Sequence, residues 1–440
     1  MKLTSVPLLK FLLKSRYPQL VISSLLLAGT VFSIFTAFFG SPVGNSNFAV
    51  IFVWIVWWAM LILAIVPFLG RGWCAVCPIP LPGEWLQRGA VLGPPDQKPR
   101  WLGLRVPSIF RNIWLQNISF LFLALFSSAL LTSPQMTGIV LTAMLVAALA
   151  LSLVFERRAF CRYLCPVGGF IGLYSQAAPL ELRAKDQKVC AQCKDKSCFR
   201  GSRLGYGCPW NVFPAGLSKN TYCGLCFECL RTCPNDNIAI TLRPFGKDLW
   251  QPVRRLDEAF KVFIMLGSAL VYTSVFLGPW GWLKDAVYNL GSSSFFIYSL
   301  AFLSLVFGIL PALFVFGMLA SKTDIPLKER FAWFSTTLIP LGLMFWVAFS
   351  LSFVLTNASY ILSVASDPLA LGWNLFGTAQ TSWRPLLPSL LAPFQTLMLV
   401  IGFLWSASLA RKIALPRGLT PIPIILYSFV VTLFMGWLLL

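Results

Sequence analysis

Eight of the twelve cysteines fall between residues 190 and 233. The second half of that stretch reads Cys223-Gly-Leu-Cys226-Phe-Glu-Cys229-Leu-Arg-Thr-Cys233-Pro234, a C-x2-C-x2-C-x3-C-P run. Soft thiolates at this spacing bind iron: three ligate one [4Fe–4S] cluster and the fourth reaches a neighbouring one. A second cluster then needs three further cysteines and another lone Cys-Pro. Cys190, Cys193 and Cys198, followed by Cys208-Pro209, supply them. The expected assignment is crosswise. Cys190, Cys193, Cys198 and Cys233 surround one cluster, and Cys223, Cys226, Cys229 and Cys208 the other. Structural zinc and disulfides are the competing uses. Zinc sites use C-x2-C pairs, often with histidine, and the chain has no histidine. Disulfides need an oxidising compartment, which the topology below disfavours.

The other four cysteines form two similar motifs, Cys74-Ala-Val-Cys77-Pro78 and Cys161-Arg-Tyr-Leu-Cys165-Pro166. Arginine and an aromatic residue precede each, as Arg71-Gly-Trp73 and Arg158-Ala-Phe160. Each follows an apolar span, so the pattern reads as an internal repeat of a two-span unit that delivers one dithiol per hairpin. Three uses compete: a shared iron–sulfur centre at the membrane surface, a redox-active dithiol or quinone-adjacent thiol site, and inert buried thiols. In either active use Arg71, Arg158 and Arg162 are expected to lower the thiol pKa values and favour thiolates.

These residues must be positioned by a membrane scaffold. Of 440 residues 57% are hydrophobic and 11% charged. Apolar runs of about 20 residues, each able to cross a bilayer as a helix, are expected near 19–39, 48–69, 113–132, 136–155, 259–280, 293–319, 331–356, 386–409 and 421–440. The first is read as a retained anchor and not a signal peptide, because it is long and no small-residue cleavage site follows it. The formal net charge is +20. In a soluble chain that would point to nucleic acid, but here the basic residues alternate with charge-poor connections and obey the positive-inside rule. No nucleic-acid partner is expected. The alternation puts the N-terminus and all twelve cysteines in the cytoplasm and the C-terminus outside.

The fold class read from this is an all-α polytopic membrane protein of about nine transmembrane helices, with an inserted small α+β dicluster ferredoxin-like domain. The expected divisions are a cytoplasmic N-terminus (1–18), a four-helix membrane region with the first Cys-x2-Cys-Pro loop (19–158), the second motif with the cluster domain (159–258), and a C-terminal membrane region of about five helices (259–440).

Two inner-face Cys-x(2,3)-Cys-Pro motifs followed by a dicluster segment resemble the NapH/NosR-type membrane polyferredoxins. The matching stretches are GRGWCAVCP at 70–78, RAFCRYLCPVG at 158–168, YGCPW at 206–210 and YCGLCFECLRTCPNDNIAI at 222–240. The resemblance covers roughly residues 20–250. It implies electron passage between a quinone pool or cytoplasmic donor and extracytoplasmic redox partners. It also makes the eight cysteines from 190 to 233 cluster ligands, and Cys74, Cys77, Cys161 and Cys165 the family's membrane-edge motif. The first motif has two intervening residues where the family commonly has three. The spans from about 259 onward lie outside the core pattern, and no flavin-attachment domain is visible.

The function expected is that of an iron–sulfur electron-transfer subunit of a membrane redox complex in a prokaryotic cytoplasmic membrane, exchanging electrons with quinone or with partner redox subunits. The alternative is a membrane maturation factor that reduces metal or thiols for a partner enzyme. A transporter reading has only the span count behind it. Without histidine, a His-ligated haem within the chain is excluded. Proton acceptors for quinone chemistry are few: Glu84, Glu156, Asp285 and Asp367, with Tyr163 and Tyr174. The abundant tryptophan and phenylalanine are expected mainly on the lipid-facing surface.

Overall fold

The computed structural model describes residues 2–93, 101–319 and 323–440. Among these, eight helices are long and apolar enough to cross a membrane: Tyr17–Phe39, Phe48–Leu69, Pro134–Val154, Leu256–Phe276, Ser293–Leu319, Leu327–Asn357, Pro388–Arg417 and Ile422–Leu439. The chain is a multi-pass membrane protein. The stretch expected as a further span at 113–132 is divided into Trp114–Leu125 and Ser127–Thr132, with Phe126 at φ −96°, ψ 15° between them. Hydroxyls surround the break. Ser128 Oγ donates to the Val287 carbonyl at 3.0 Å and Thr132 Oγ1 to the Ser128 carbonyl at 2.7 Å, and side chains that bond to backbone compete with the helical ladder.

The chain forms two compact units. One comprises Met1–Ile34, Ala64–Gln116 and Ile139–Asp248, the other Phe35–Leu63, Asn117–Gly138 and Leu249–Leu440. All twelve cysteines belong to the first. Its small antiparallel sheet pairs β1 (Leu180–Ala184) with β2 (Ile238–Leu242), from Leu180 opposite Leu242 to Ala184 opposite Ile238. The strands flank the eight-cysteine stretch in sequence, so their pairing closes it into one body. Leu182, Ile238 and Ile240 from the strands, Leu225 from a loop and Leu230 from the short helix Glu228–Thr232 make an apolar core that also takes in Cys198 and Cys229.

The N-terminal segment is strapped along this body. Lys2 bridges to Thr241. Lys10 and Lys14, on the helix Pro7–Lys14, reach Asp236 at 2.7 and 3.1 Å, and Arg16 reaches Glu228 at 3.0 Å.

In the second unit Leu256–Phe276 and Leu327–Asn357 are central. In their most apolar windows 72% and 78% of residues are buried, against 33%, 28% and 33% in Ser293–Leu319, Pro388–Arg417 and Ile422–Leu439. Trp346 Nε1 donates to the Met265 carbonyl at 3.0 Å. Its ring lies 5.8 Å from Trp58, 5.2 Å from Tyr272 and 6.1 Å from Phe349. Part of the aromatic content expected to face lipid is therefore an internal packing column.

Candidate metal centres

Cys208-Pro209 and Cys233-Pro234 share one local geometry. Three residues after each cysteine, Asn211 and Asp236 adopt φ 54° and 46°, a left-handed conformation that Asn and Asp tolerate better than most non-glycine residues. The next residue turns its N–H back to the sulfur: Val212 to Cys208 Sγ at 3.4 Å, and Asn237 to Cys233 Sγ at 3.2 Å. Asn237 also donates from Nδ2 to Cys190 Sγ at 3.2 Å. Such bonds favour the thiolate and tune any iron it holds.

The eight thiols fall into two electrostatic neighbourhoods. Burial raises Cys198 to about 11, with further contributions from Cys233, Cys190 and Cys193. Burial raises Cys229, as do Cys226, Cys223 and Cys208, with Cys198 a weaker neighbour. Cys208, Cys223, Cys226 and Cys229 line one small open recess, walled by Leu182, Trp210, Val212 and Leu217 among others. A water-poor recess offering four thiols fits a sulfur-ligated iron cluster. Among the described residues no three Cys, Asp or Glu side chains converge as a single metal ion requires. A cluster has a looser requirement, because each thiolate binds a different iron.

Cys74 lies in the short helix Gly72–Val76, and Cys161 in the π-turn Phe160–Leu164. That turn is closed by the Cys165 N–H on the Phe160 carbonyl at 2.9 Å, five residues back. The wider turn takes up the extra residue of the second motif. Cys77 and Cys165 consequently leave in the same conformation, φ −57°, ψ 127° and φ −57°, ψ 116°, the extended geometry that a following proline favours. The Gly168 N–H bonds to Cys165 Sγ at 3.2 Å, and the Ile79 amide favours the Cys77 thiolate.

The structure brings these two dithiols together. Burial pushes Cys77 well up, and Cys74 and Cys165 add to the rise. Cys161 is raised by burial and by Cys165, Cys77 and Cys74. Burial lifts Cys165 to about 12. The expected lowering by arginine is thus reversed. Arg158 opposes the rise at Cys77 and Cys161, and Arg71 at Cys165, but the loss of hydration is larger.

The arginine preceding each motif grips the other motif. Arg71 donates to the Gly168 carbonyl at 3.0 Å, and Arg158 to the Cys74 carbonyl at 2.6 Å. Both also reach the cluster domain. Arg71 bonds to the Thr221 carbonyl and lies 4.1 Å from the Trp210 ring centroid. The Arg158 N–H bonds to the Pro209 carbonyl at 3.1 Å. Arg162 donates to the Trp210 carbonyl at 2.7 Å and Arg157 to those of Phe199 and Cys208. Trp210 is seated against Gly224, where an added Cβ would stand 1.9 Å from its Nε1. Arg71 is buried, and among the described residues no carboxylate pairs with it.

The candidate proton acceptors are scattered. Glu84 is 3% exposed and pairs with Arg158 through both carboxylate oxygens and with Arg88 at 3.0 Å. Burial alone would raise its pKa, but Arg158 and Arg88 together hold it below the usual carboxylate range. It is an anchor for Arg158. Glu156 is half-buried, Asp285 exposed and Tyr174 buried. Asp367 accepts the Leu371 and Gly372 N–H groups, each at 2.9 Å. The Tyr163 ring lies 5.2 Å from the Arg162 guanidinium. Sequence reasoning missed Asn237 and the crossed grip of Arg71 and Arg158. The matching arginine three residues before each motif was the available signal.

The 4Fe-4S binding domain family matches this chain twice, over residues 50–100 and 137–188. Each match takes in one long apolar helix and the Cys-Pro motif behind it. An uncharacterized protein of Methanocaldococcus jannaschii, MJ0750, is 28% identical over 87 residues, 20% of this chain and 32% of that protein. The Escherichia coli protein provisionally named electron transport protein YccM is 29% identical over 91 residues, 20% of this chain and 23% of that one. A second uncharacterized M. jannaschii protein, MJ0749, is 26% identical over 147 residues, 33% of this chain and 55% of that one. The matched stretches therefore span 23% to 55% of the relatives' own lengths. No solved structure matches. The likenesses support an iron–sulfur electron-transfer role in a membrane protein.

Proposed function

We propose that the chain is the iron–sulfur subunit of a membrane redox complex, with three sulfur-ligated iron centres in series. Cys190, Cys193, Cys198 and Cys233 hold the outer centre, Cys208, Cys223, Cys226 and Cys229 the middle one, and Cys74, Cys77, Cys161 and Cys165 the membrane-edge one. When bound, such centres supply one-electron storage. The chain's own residues hold the series in place. The Cys-Pro turns aim sulfur and N–H groups inward, the apolar walls limit water, and the buried Arg71 and Arg158 offset thiolate charge at the two inner sites. A buried guanidinium without a carboxylate is costly unless another anion answers it. The single observation that carries the reading is the cavity lined by four thiols. The convergence of the second pair of motifs, both inside the matched family segments, supports the third centre.

The topology proposed has nine crossings. Arg158 bonds to Glu84 and to Cys74, so the two motif loops share one end of the membrane segment. Pro134–Val154 is one crossing between them, and the return falls to Trp114–Thr132. Basic loops assign that end to the cytoplasm. The hydrocarbon core is about 30 Å thick, so electrons leaving the membrane edge need quinone or a partner subunit. Iron and acid-labile sulfide, counted in anaerobically purified protein, test this. About 12 Fe per chain is expected for three four-iron centres, and about 8 Fe removes the third. Cys165→Ala should lower only the third share.

A further inference from the structure

We infer that the rim of the outer centre is a docking surface for a small acidic one-electron carrier protein. The inference rests on the reading that Cys190, Cys193, Cys198 and Cys233 hold an iron–sulfur centre. Order carries the first half of the argument. Cys229 of the middle group and Cys198 of the outer one are packed into the same apolar core. On its other side the middle group meets the membrane edge through arginine: Arg158 bonds to the Pro209 and Cys74 carbonyls, and Arg71 to those of Thr221 and Gly168. The outer group therefore stands at the far end of the series, where a soluble partner has access. Cys193 and Cys233 are partly exposed there.

Charge carries the second half. Residues 185–203 contain six basic side chains (Lys185, Lys188, Lys194, Lys196, Arg200 and Arg203) against two acidic ones, Asp186 and Asp195. Lys185, Lys188, Lys194, Arg200 and Arg203 are exposed. The basic residues of the inner groups behave differently, since Arg71, Arg157, Arg158 and Arg162 are spent on carbonyls and on Glu84. Lys185 pairs with Asp236 at 3.0 Å, but the exposed charges of Lys188, Lys194, Arg200 and Arg203 beside the outer group match an acidic protein face, and such complementarity chiefly accelerates encounter. In each encounter one electron leaves the reduced carrier and is taken up by this chain. The carrier is oxidised by one equivalent and no bond or proton is exchanged.

The test uses the full chain in nanodiscs of neutral lipid with an acidic plant-type ferredoxin as probe. Affinity is read by biolayer interferometry at low and high salt, alongside reduction by dithionite. Affinity should fall about tenfold or more between about 20 and 300 mM salt. The charge reversal K188E/K194E/R200E should cause a similar fall at low salt, with iron content and dithionite reduction unchanged. If the reversal costs iron, the milder K188Q/R203Q, away from Cys193, should still weaken binding several-fold. Salt-independent affinity, or unchanged affinity in K188Q/R203Q, overturns the inference. So does a reversal that weakens only adhesion to anionic-lipid nanodiscs, which would make the rim a lipid contact. Wild-type protein without iron at the outer cysteines sinks the underlying reading instead.

Discussion

Arg158 is the residue on which two demands meet, and replacing it separates them. In Arg158→Met the Glu84 carboxylate loses a partner while both side chains of the original pair are only 4% exposed. Removing one member of a buried ion pair costs about 3–5 kcal/mol. Arg88 remains on Glu84, with its side chain 18% exposed, so the lower end, about 3 kcal/mol, is expected. Glu84→Gln leaves Arg158 its bond to the Cys74 carbonyl and an amide oxygen to accept from it, which predicts a smaller loss of about 2 kcal/mol. In the double variant the buried charge is gone, so the coupling should reach about 2 kcal/mol of recovery. Denaturant unfolding of the detergent-solubilised protein, followed by tryptophan fluorescence, measures this.

Iron should not follow stability. Arg158 ties the Cys74 carbonyl itself to the second motif, with Arg71 on Gly168 as the other tie, so Arg158→Met and the double variant should both lower membrane-edge iron. Additive single effects, with coupling below about 0.5 kcal/mol, would refute the ion-pair argument. Full iron in the double variant would refute the tether. Acid adds a further check. The folded pKa of Glu84 is depressed, so its stabilisation is complete above the unfolded value of about 4.3 and disappears as pH falls through the lower folded value. Wild type and Glu84→Gln should therefore converge in stability on acidification.

Other substitutions address the remaining sites. Gly224→Ala places a methyl against Trp210 between two middle-centre cysteines, and should abolish that centre's EPR signal, whereas Gly216→Ala, with open space around it, should not. Asn237→Ala removes the Nδ2–H from Cys190 Sγ while keeping the backbone donor to Cys233. Because N–H···S bonds stabilise the more negative reduced state, the outer centre's midpoint should fall by tens of millivolts in a redox titration (about 30 mV for a 0.7 kcal/mol one-electron effect). An unchanged or raised potential would remove Asn237 from the tuning shell.

What could be read from the sequence was what spacing and composition encode: iron–sulfur cysteine motifs, the long apolar runs, and the recurrence of arginine, aromatic residue and Cys-Pro. The rest depended on burial and on contacts distant in sequence. Arg71 and Arg158 read as generic activators of nearby thiols, but desolvation outweighed them. Glu156 read as the better proton acceptor than Glu84, and only folding buried Glu84 against Arg158. The three-residue gap between Cys161 and Cys165 looked like a mismatch with Cys74 and Cys77 until a π-turn absorbed it. Trp346 could not be told from a lipid-facing tryptophan, because an apolar interior and an apolar solvent select the same residues.

The crossed grip of Arg71 on Gly168 and Arg158 on Cys74 also governs how the protein can be made. Neither hairpin carries a finished site when it leaves the ribosome. Cys77 emerges 84 residues (161 minus 77) before Cys161, and Arg71 lacks its carbonyl until Gly168 follows. The outer group waits longer still, for Cys233, the last of the twelve cysteines in the chain. In the proposed assignment the membrane-edge set is complete at Cys165, the middle set at Cys229 and the outer set only at Cys233, so the three sites become available in order from the membrane outward.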